Sequence, residues 1–294
     1  MKNKVSIRAF WLMLVTVFLF VGACNNPAPA PKPPEENPYI ECSPVVSSTT
    51  FDILTWNIEH FPLQTTTIEE VAKIITAADI DLIAFQEVSS SNAMTLLLES
   101  LSGWEGKLYN SGSLNLGYLY KTSEVSITTL TTLYDDLWSP FPRAPVVTVA
   151  THTSGLSTTL INLHLKCCGG DDNVARRTEA SILLQEYIET EQPNDPVIII
   201  GDFNDEITSI TEPTPFQNFI DAPTEYKFVD MAIAQDANFG WSYPSWPSHI
   251  DHILITDELF DNLLETSTLK FEDCNSSYPS TVSDHRPVLM RLEL

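Results

Sequence analysis

The chain has 294 residues, with 39 acidic side chains against 15 basic ones, a formal net charge of -24 and a pI near 4.3. Hydrophobic residues make up 43% of it and aromatics 10%, which excludes a mostly disordered or collagen-like chain and suits one large domain or two small ones. The acidity argues against a broad basic face that grips duplex DNA, because such affinity grows with the number of Lys and Arg contacts to phosphate.

Lys2, Lys4 and Arg8 precede an apolar run from Ala9 to Val21 broken only by Thr16. That run has signal-peptide length and falls short of the roughly 20 residues a spanning helix needs. It ends in Val21-Gly22-Ala23-Cys24, which resembles a bacterial lipobox. Residues 1–23 are therefore read as a lipoprotein signal peptide and Cys24 as the lipidated first residue of the mature chain. The alternatives are ordinary cleavage after a small residue and an uncleaved anchor. The expected location is the bacterial cell envelope, lipid-anchored to a membrane at the periplasmic face or the cell surface. Proline recurs every second or third residue after Cys24, so residues 24–48 read as a stiff tether and 49–294 as the folded domain, taken as a monomer.

Phe51 to Ile58 reads as a strand. Ile68, Val71, Ala72 and Ile75 then share one helical face, and Asp81 to Phe85 is the next strand. A helix is expected at 92–101, then strand-like runs at 104–110, 116–121, 124–133, 144–152 and 157–165, spaced for antiparallel pairing. Asp171 to Asn173 offer N-caps for a helix whose stripe is Ala180, Leu183, Leu184, Tyr187 and Ile188. Val197 to Ile200 is a bare apolar strand, expected to be buried on both faces, and further strands are expected at 250–255 and 286–292. Strands with helices between them imply sheets covered by helices. Cys42, Cys167, Cys168 and Cys274 are an even set, expected to form disulfides in an exported protein, with three pairings open. Adjacent Cys167-Cys168 lacks zinc-ligand spacing.

Polar residues gather at the strand ends. Asn57 and Glu59 close the first strand, Gln86 and Glu87 the second, and His164 and Lys166 the run LINLHLK. Asp202, Asn204 and Asp205 follow the buried strand, Asp251 opens HIDHILI, and Asp284-His285 precede the last strand. One acidic strand end is usually a solvated turn or cap. Six such ends meeting at a common edge call for a cation, because burying carboxylates together is costly. Glu87, Asn57 and Asp284 are hard oxygen ligands suited to Mg²⁺ or Mn²⁺. Asp251 and His285 form a candidate carboxylate–imidazole pair for moving protons near neutral pH.

The ordered segments TWNIE, QEV, NLHLK, GDFND, IDHIL and SDHRPV resemble the endonuclease/exonuclease/phosphatase superfamily, the deoxyribonuclease-like metal phosphoesterases, over roughly residues 50–294. GDFN and SDHRPV are the specific parts. The resemblance implies an α/β (α+β) fold, a four-layer α/β/β/α sandwich of two mainly antiparallel sheets packed face to face with helices outside. It places the metal at Asn57 and Glu87, with Asp284 as a direct or water-mediated ligand, and gives Asp202 and Asn204 the task of orienting the attacking water and the phosphate. It makes His285 the catalytic histidine with Asp251 as its partner, and His164 a second histidine at the scissile phosphate; Asn204, His164 and Lys166 are expected to bind the phosphate and hold it in line. No acidic partner for His164 is evident in residues 114–121. The implied reaction is metal-dependent phosphoester hydrolysis by in-line attack of water, with either His285 or Asp202 as base. Nucleic acid, inositol phosphates and phospholipid head groups all stand as substrates. The expected enzyme is an exported phosphodiesterase of nuclease type; an inositol-phosphate phosphatase or a sphingomyelinase- or phospholipase-like enzyme is the alternative, and a non-catalytic phosphate-binding surface lipoprotein is the third reading. Trp241, Tyr243 and Trp246 are candidates to stack on a substrate ring or to pack under their loop. Arg176 and Arg177 are candidates to hold a second phosphate or to be solvated helix residues.

Overall fold

The computed structural model describes residues 36–110, 112–208 and 213–294. The expected signal peptide and Cys24 lie outside them. In chain order the regular elements are β1 (Thr50–Phe61), α1 (Thr67–Ala78), β2 (Leu82–Val88), α2 (Ser91–Ser100), β3 (Trp104–Tyr109), β4 (Asn115–Lys121), β5 (Val125–Ile127), β6 (Thr131–Thr132) and β7 (Val146–His152). They continue with β8 (Ser157–His164), α3 (Asp171–Glu191), β9 (Val197–Asp202), α4 (Gln217–Ile220), β10 (Tyr226–Phe228), α5 (Met231–Gln235), β11 (Asp251–Thr256), β12 (Leu263–Thr268), α6 (Tyr278–Thr281) and β13 (Val288–Glu293).

The strands form two sheets. One runs β12-β13-β1-β2-β4-β3, the other β10-β11-β9-β8-β7-β5, with β6 paired to β7. Each contains one parallel pair, β1 with β2 and β8 with β9, and is otherwise antiparallel. The parallel pairs are those joined by the long helices α1 and α3, as a crossover requires.

β1 buries apolar side chains on both of its faces. Phe51 and Ile53 point into the core between the sheets, with Leu82, Tyr118, Ile198, Ile253 and Met290. Leu54, Trp56 and Ile58 point the other way, against Val71, Ile74 and Ile75 of α1 and Leu97 of α2. The second sheet likewise turns Ile161, Leu163 and Ile199 toward Ala180, Leu184 and Ile188 of α3. Helices therefore cover the outer faces of two stacked sheets, the sandwich the motifs imply.

Several expectations shift. The run at 124–133 breaks into β5 and β6, and the N-cap of α3 is Gly170, which leaves Asp171 and Asp172 in the first turn, where their charge suits the helix dipole. The strands β10 and β12 had no sequence signal: β10 has three residues, and β12 is a half-exposed edge strand whose LLETST lacks strict alternation. The compact unit begins at Asn37 rather than 49, because Tyr39 is fully buried in the core beside α1 and Cys42 is bonded to Cys274. Cys167 and Cys168 are free thiols. No helix of the described residues is long and apolar enough to cross a membrane.

The Cys42–Cys274 bond spans a sequence separation of 232, so it removes much freedom from the unfolded chain. Replacing both cysteines by serine is expected to cost about 2–5 kcal/mol, read as a lower denaturant midpoint.

Candidate active site

Strand registers assemble the site. Parallel pairing of β8 with β9 sets His164 beside Asp202, and antiparallel pairing of β9 with β11 sets Asp251 on the other side of Asp202. The β8–β9 approach is so tight that a Cβ on Gly201 would stand 2.1 Å from the Leu163 carbonyl oxygen, at a φ of 149°. The two sheets are pinned to each other by polar contacts. Asn57 Nδ2 donates to Asp202 Oδ2 at 2.9 Å, and Gln86 Nε2 donates to Asn162 Oδ1 at 2.8 Å.

Five non-glycine residues beside the cleft adopt left-handed backbone: Glu59 (φ 33°), His60 (φ 48°), Glu87 (φ 63°), Cys168 (φ 76°) and Asn204 (φ 57°). Such conformations cost about 1–3 kcal/mol each and persist where the surroundings over-determine them. At β1 and β2 they coincide with register shifts between Asn57 and Phe61 and between Phe85 and Val88. The interruption turns Glu59 and Glu87 out of the pleat into a cleft of about 510 Å³, whose walls also carry His164, Asp202, Asn204, Asp284 and His285.

His285 Nδ1 lies 2.7 Å from Asp251 Oδ2, and both residues are buried. Burial opposes charge on His285, but the carboxylates of Asp251, Asp202 and Asp284 outweigh it and push its pKa up to about 10. The imidazole is therefore held in its charged form, with Nε2 3.9 Å from Asp284 Oδ1. Tyr243 packs on the ring, with centroids 4.7 Å apart. Asp202 is the opposite case: burial and the neighbouring Asp251 push its carboxyl up to about 7, although Asn57 and the Asn204 amide hydrogen-bond to it.

His164 Nε2 lies 3.5 Å from Asp202 Oδ2 and 3.7 Å from Glu87 Oε1. Burial, then the charges of Arg143, His285 and His60, hold its pKa well below the usual range, so the ring is neutral. Its Nδ1 is buried without a hydrogen-bond partner among the described residues. Acidic neighbours thus exist on β2 and β9, outside the 114–121 segment where the sequence offered none.

Lys166 is not among the residues that line the cleft; its ammonium lies 3.6 Å from Cys167 Sγ. Arg177 is buried and binds Asp205 through Nε and Nη2, at 2.9 and 2.7 Å, as well as the carbonyls of Lys166 and Cys168. Arg176 is bound to the carbonyls of Ser139 and Trp138. Arg177 is thus no solvated helix residue, and Arg176 is half-buried. Of the aromatic trio, Trp246 stands 78% exposed on the cleft wall, while Trp241 is tied by its indole to the Ile233 carbonyl.

Three contributors were given no role from the sequence. Glu59 accepts a hydrogen bond from the Asp284 amide at 3.0 Å, and burial, then Asp284, raise its pKa. His60 stands 3.7 Å from Glu87, and its amide donates to that carboxylate. Arg143 comes from the proline-flanked segment before β7 and donates to the carbonyls of His164 and Leu165. A strand-end position signals Glu59, whereas nothing local marks Arg143.

The donor set fits a hard divalent cation. Glu59, Glu87, Asp202 and Asp284 crowd one cleft, Arg177 is already committed to Asp205, and Asp251 Oδ1 is buried without a partner among the described residues. Carboxylate and amide oxygens with no thiolate in the group favour Mg²⁺ or Mn²⁺ over softer ions. Asn57 lies beneath this group, its own Oδ1 accepting from the Glu59 amide.

A second buried group, Asp230, His249 and His252, also gathers potential ligand atoms, but its hydrogen bonds describe an ion pair. His252 Nε2 faces the Asp205 carbonyl, which can only accept, and Nδ1 faces Asp230 at 2.5 Å, so both nitrogens carry protons. His249 Nδ1 accepts from the Ser242 amide, which leaves the N–H on Nε2, 3.0 Å from Asp230. No lone pair on these rings is left facing the carboxylate.

A family model described as the endonuclease/exonuclease/phosphatase family matches residues 54–285. Over 280 residues the chain is 28% identical to deoxyribonuclease-1-like 1 of Bos taurus, covering 83% of this chain and 81% of that protein. Among solved structures, D. rerio TDP2 complexed with single strand DNA product aligns with a TM-score of 0.65 at 14% identity, over 84% of this chain and 100% of its own. A mannosyl-6-phosphatase of Bacteroides thetaiotaomicron aligns with a TM-score of 0.63 at 16% identity, over 83% and 100%. At these identities the solved structures establish a shared fold.

Proposed function

Because the chain belongs to the endonuclease/exonuclease/phosphatase family and is thereby a hydrolase of phosphoester bonds, we propose that it is an exported, Mg²⁺- or Mn²⁺-dependent phosphodiesterase of nuclease type. The observation that carries this reading is the Asp251–His285 pair set against Asp202 and His164 in the cleft that also holds Glu87 and Asp284. A base, here Asp202, beside a fixed imidazolium and a hard-ligand set is what hydrolysis by water demands, and a protein that only binds phosphate has no use for the base.

Glu87, Asp284 and Asn57, with Glu59 beside them, would hold the cation. When bound, such a cation withdraws charge from the phosphate oxygens and the departing alkoxide. Asp202 takes the proton of the attacking water, since burial has brought its carboxyl close to neutrality. Asn204, with its amide oriented by the Leu165 carbonyl, helps to aim that water. His285 stays protonated against Asp251 and faces the negative charge on the phosphoryl oxygens. Neutral His164 contributes a hydrogen bond rather than a proton.

The nuclease reading draws on the deoxyribonuclease-like relative; inositol phosphates and lipid head groups are its competitors. A substrate panel of DNA, RNA, inositol phosphates and sphingomyelin separates them. On whichever ester is cleaved, excess chelator is expected to abolish hydrolysis and added Mg²⁺ or Mn²⁺ to restore it. Full turnover in excess chelator contradicts the proposal. Export and the lipid anchor rest on Lys2, Lys4, Arg8 and the Val21–Cys24 segment, and a structural disulfide suits an oxidising compartment. Labelled fatty acid is expected on the native chain and not on Cys24→Ala.

A further inference from the structure

Cys167 and Cys168 stand where β8 leaves the catalytic cleft, and both line its wall. Their sulfurs are 2.9 Å apart, closer than unbonded sulfurs normally pack. Cys168 is exposed and adopts a φ of 76°, and Gly169 and Gly170 follow it. A Cβ on either glycine would meet nothing within 4 Å, so the turn has open space in which to adjust. Its flanks are fixed: Arg177 Nη1 binds the carbonyls of Lys166 and Cys168, and Arg143 binds those of His164 and Leu165.

We propose that Cys167 and Cys168 are a redox-active vicinal dithiol, a modification site at the mouth of the cleft that an external disulfide oxidises to a Cys167–Cys168 bond. Cys167 is the attacking thiol. Burial opposes its ionisation, but the Cys168 thiol and the Lys166 ammonium outweigh burial and lower its pKa. Its thiolate attacks one sulfur of the external disulfide, forms a mixed disulfide and expels one thiolate. Cys168 then loses its proton to solvent and attacks Cys167 Sγ, expelling the second thiolate. Two electrons pass to the external disulfide, which ends as two thiols carrying the two protons released.

The bond belongs to the reversible class. Neighbouring Cα atoms are about 3.8 Å apart, below the roughly 4.4 Å at which ordinary disulfides begin, so the ring is strained and easily reduced. Cys42–Cys274, with 6.1 Å between its Cα atoms, lies in the ordinary range. The two pairs therefore separate by lability within one chain.

The test incubates the intact protein in glutathione buffers of graded oxidised fraction, quenches with acid, alkylates the denatured protein without reductant and digests with trypsin. Cleavage after Lys166 and Arg176 isolates both cysteines in one peptide. With rising oxidised glutathione that peptide is expected to lose both alkyl groups and become lighter by two hydrogens, and mild dithiothreitol reverses the loss. In Cys168→Ser the resolving step is blocked and glutathione is expected to stay on Cys167. Two alkylated thiols at every buffer composition, or stable glutathione on the native pair, would overturn the proposal. The readout is a mass, so it is independent of any catalytic assignment.

Discussion

His285→Ala is expected to lower the turnover of a phosphodiester by about 10²–10³-fold, the range that one fixed donor aimed at the transition-state charge contributes. Asp202→Asn is expected to do the same while keeping nearly the same shape. The two act as one unit: His285 owes its raised pKa partly to Asp202, and Asp202 is held up by burial and by Asp251, the partner of His285. The double variant should therefore fall little further than either single one. The domain should stay folded by circular dichroism, although His285→Ala should melt lower because it leaves the buried Asp251 carboxylate without its partner. Turnover within tenfold of the native value in both variants would remove this pair from the chemistry.

The second large effect concerns stability. Asp230→Asn is expected to cost about 3–5 kcal/mol, because it strands the buried His252 imidazolium between a neutral amide and the Asp205 carbonyl. For a domain of this size that is a fall of roughly 10 °C in melting temperature. The pH dependence follows from both partners. Burial would raise Asp230, but His252 and His249 outweigh it and hold it below the usual carboxylate range. Stability from that depression is present above the unfolded carboxyl value of about 3.9 and is lost as pH falls through the folded one. Burial opposes charging His252, but Asp230 outweighs it and raises its pKa. That share is complete below the unfolded imidazole value of about 6.5 and fades as pH rises through the folded one. The gap between native protein and Asp230→Asn should thus be widest at mildly acidic pH and narrow toward alkaline pH. A gap that widens toward alkaline pH would show that the pair is not ionised as described.

The same network links stability to the cleft. The Asp205 carbonyl rests on His252 while its carboxylate binds Arg177, whose Nη1 holds the carbonyls of Lys166 and Cys168. Asp205 also follows Asn204, whose left-handed backbone sets its amide toward the Asp202 group.

Local pattern was enough to place α1, α2 and α3, the central strands and the polar residues that close them, because apolar periodicity and strand-end polarity are carried by neighbours in the chain. It was also enough for the motif order that identifies the family, for Glu87, Asp202, Asp284 and His285 as members of one cleft, and for Asp251 as the partner of His285 behind it. What only the folded chain decided is everything set by contacts between distant segments. Asn57 reaches Asp202 across 145 positions, Cys42 selects Cys274, and Arg143 arrives beside His164 from a segment with no motif. Arg177 is drawn from the expected helix surface into a buried pair with Asp205. The titration of these groups belongs to the same category, since the burial and neighbouring charge that push Asp202 up and hold His164 down exist once two sheets have closed over them.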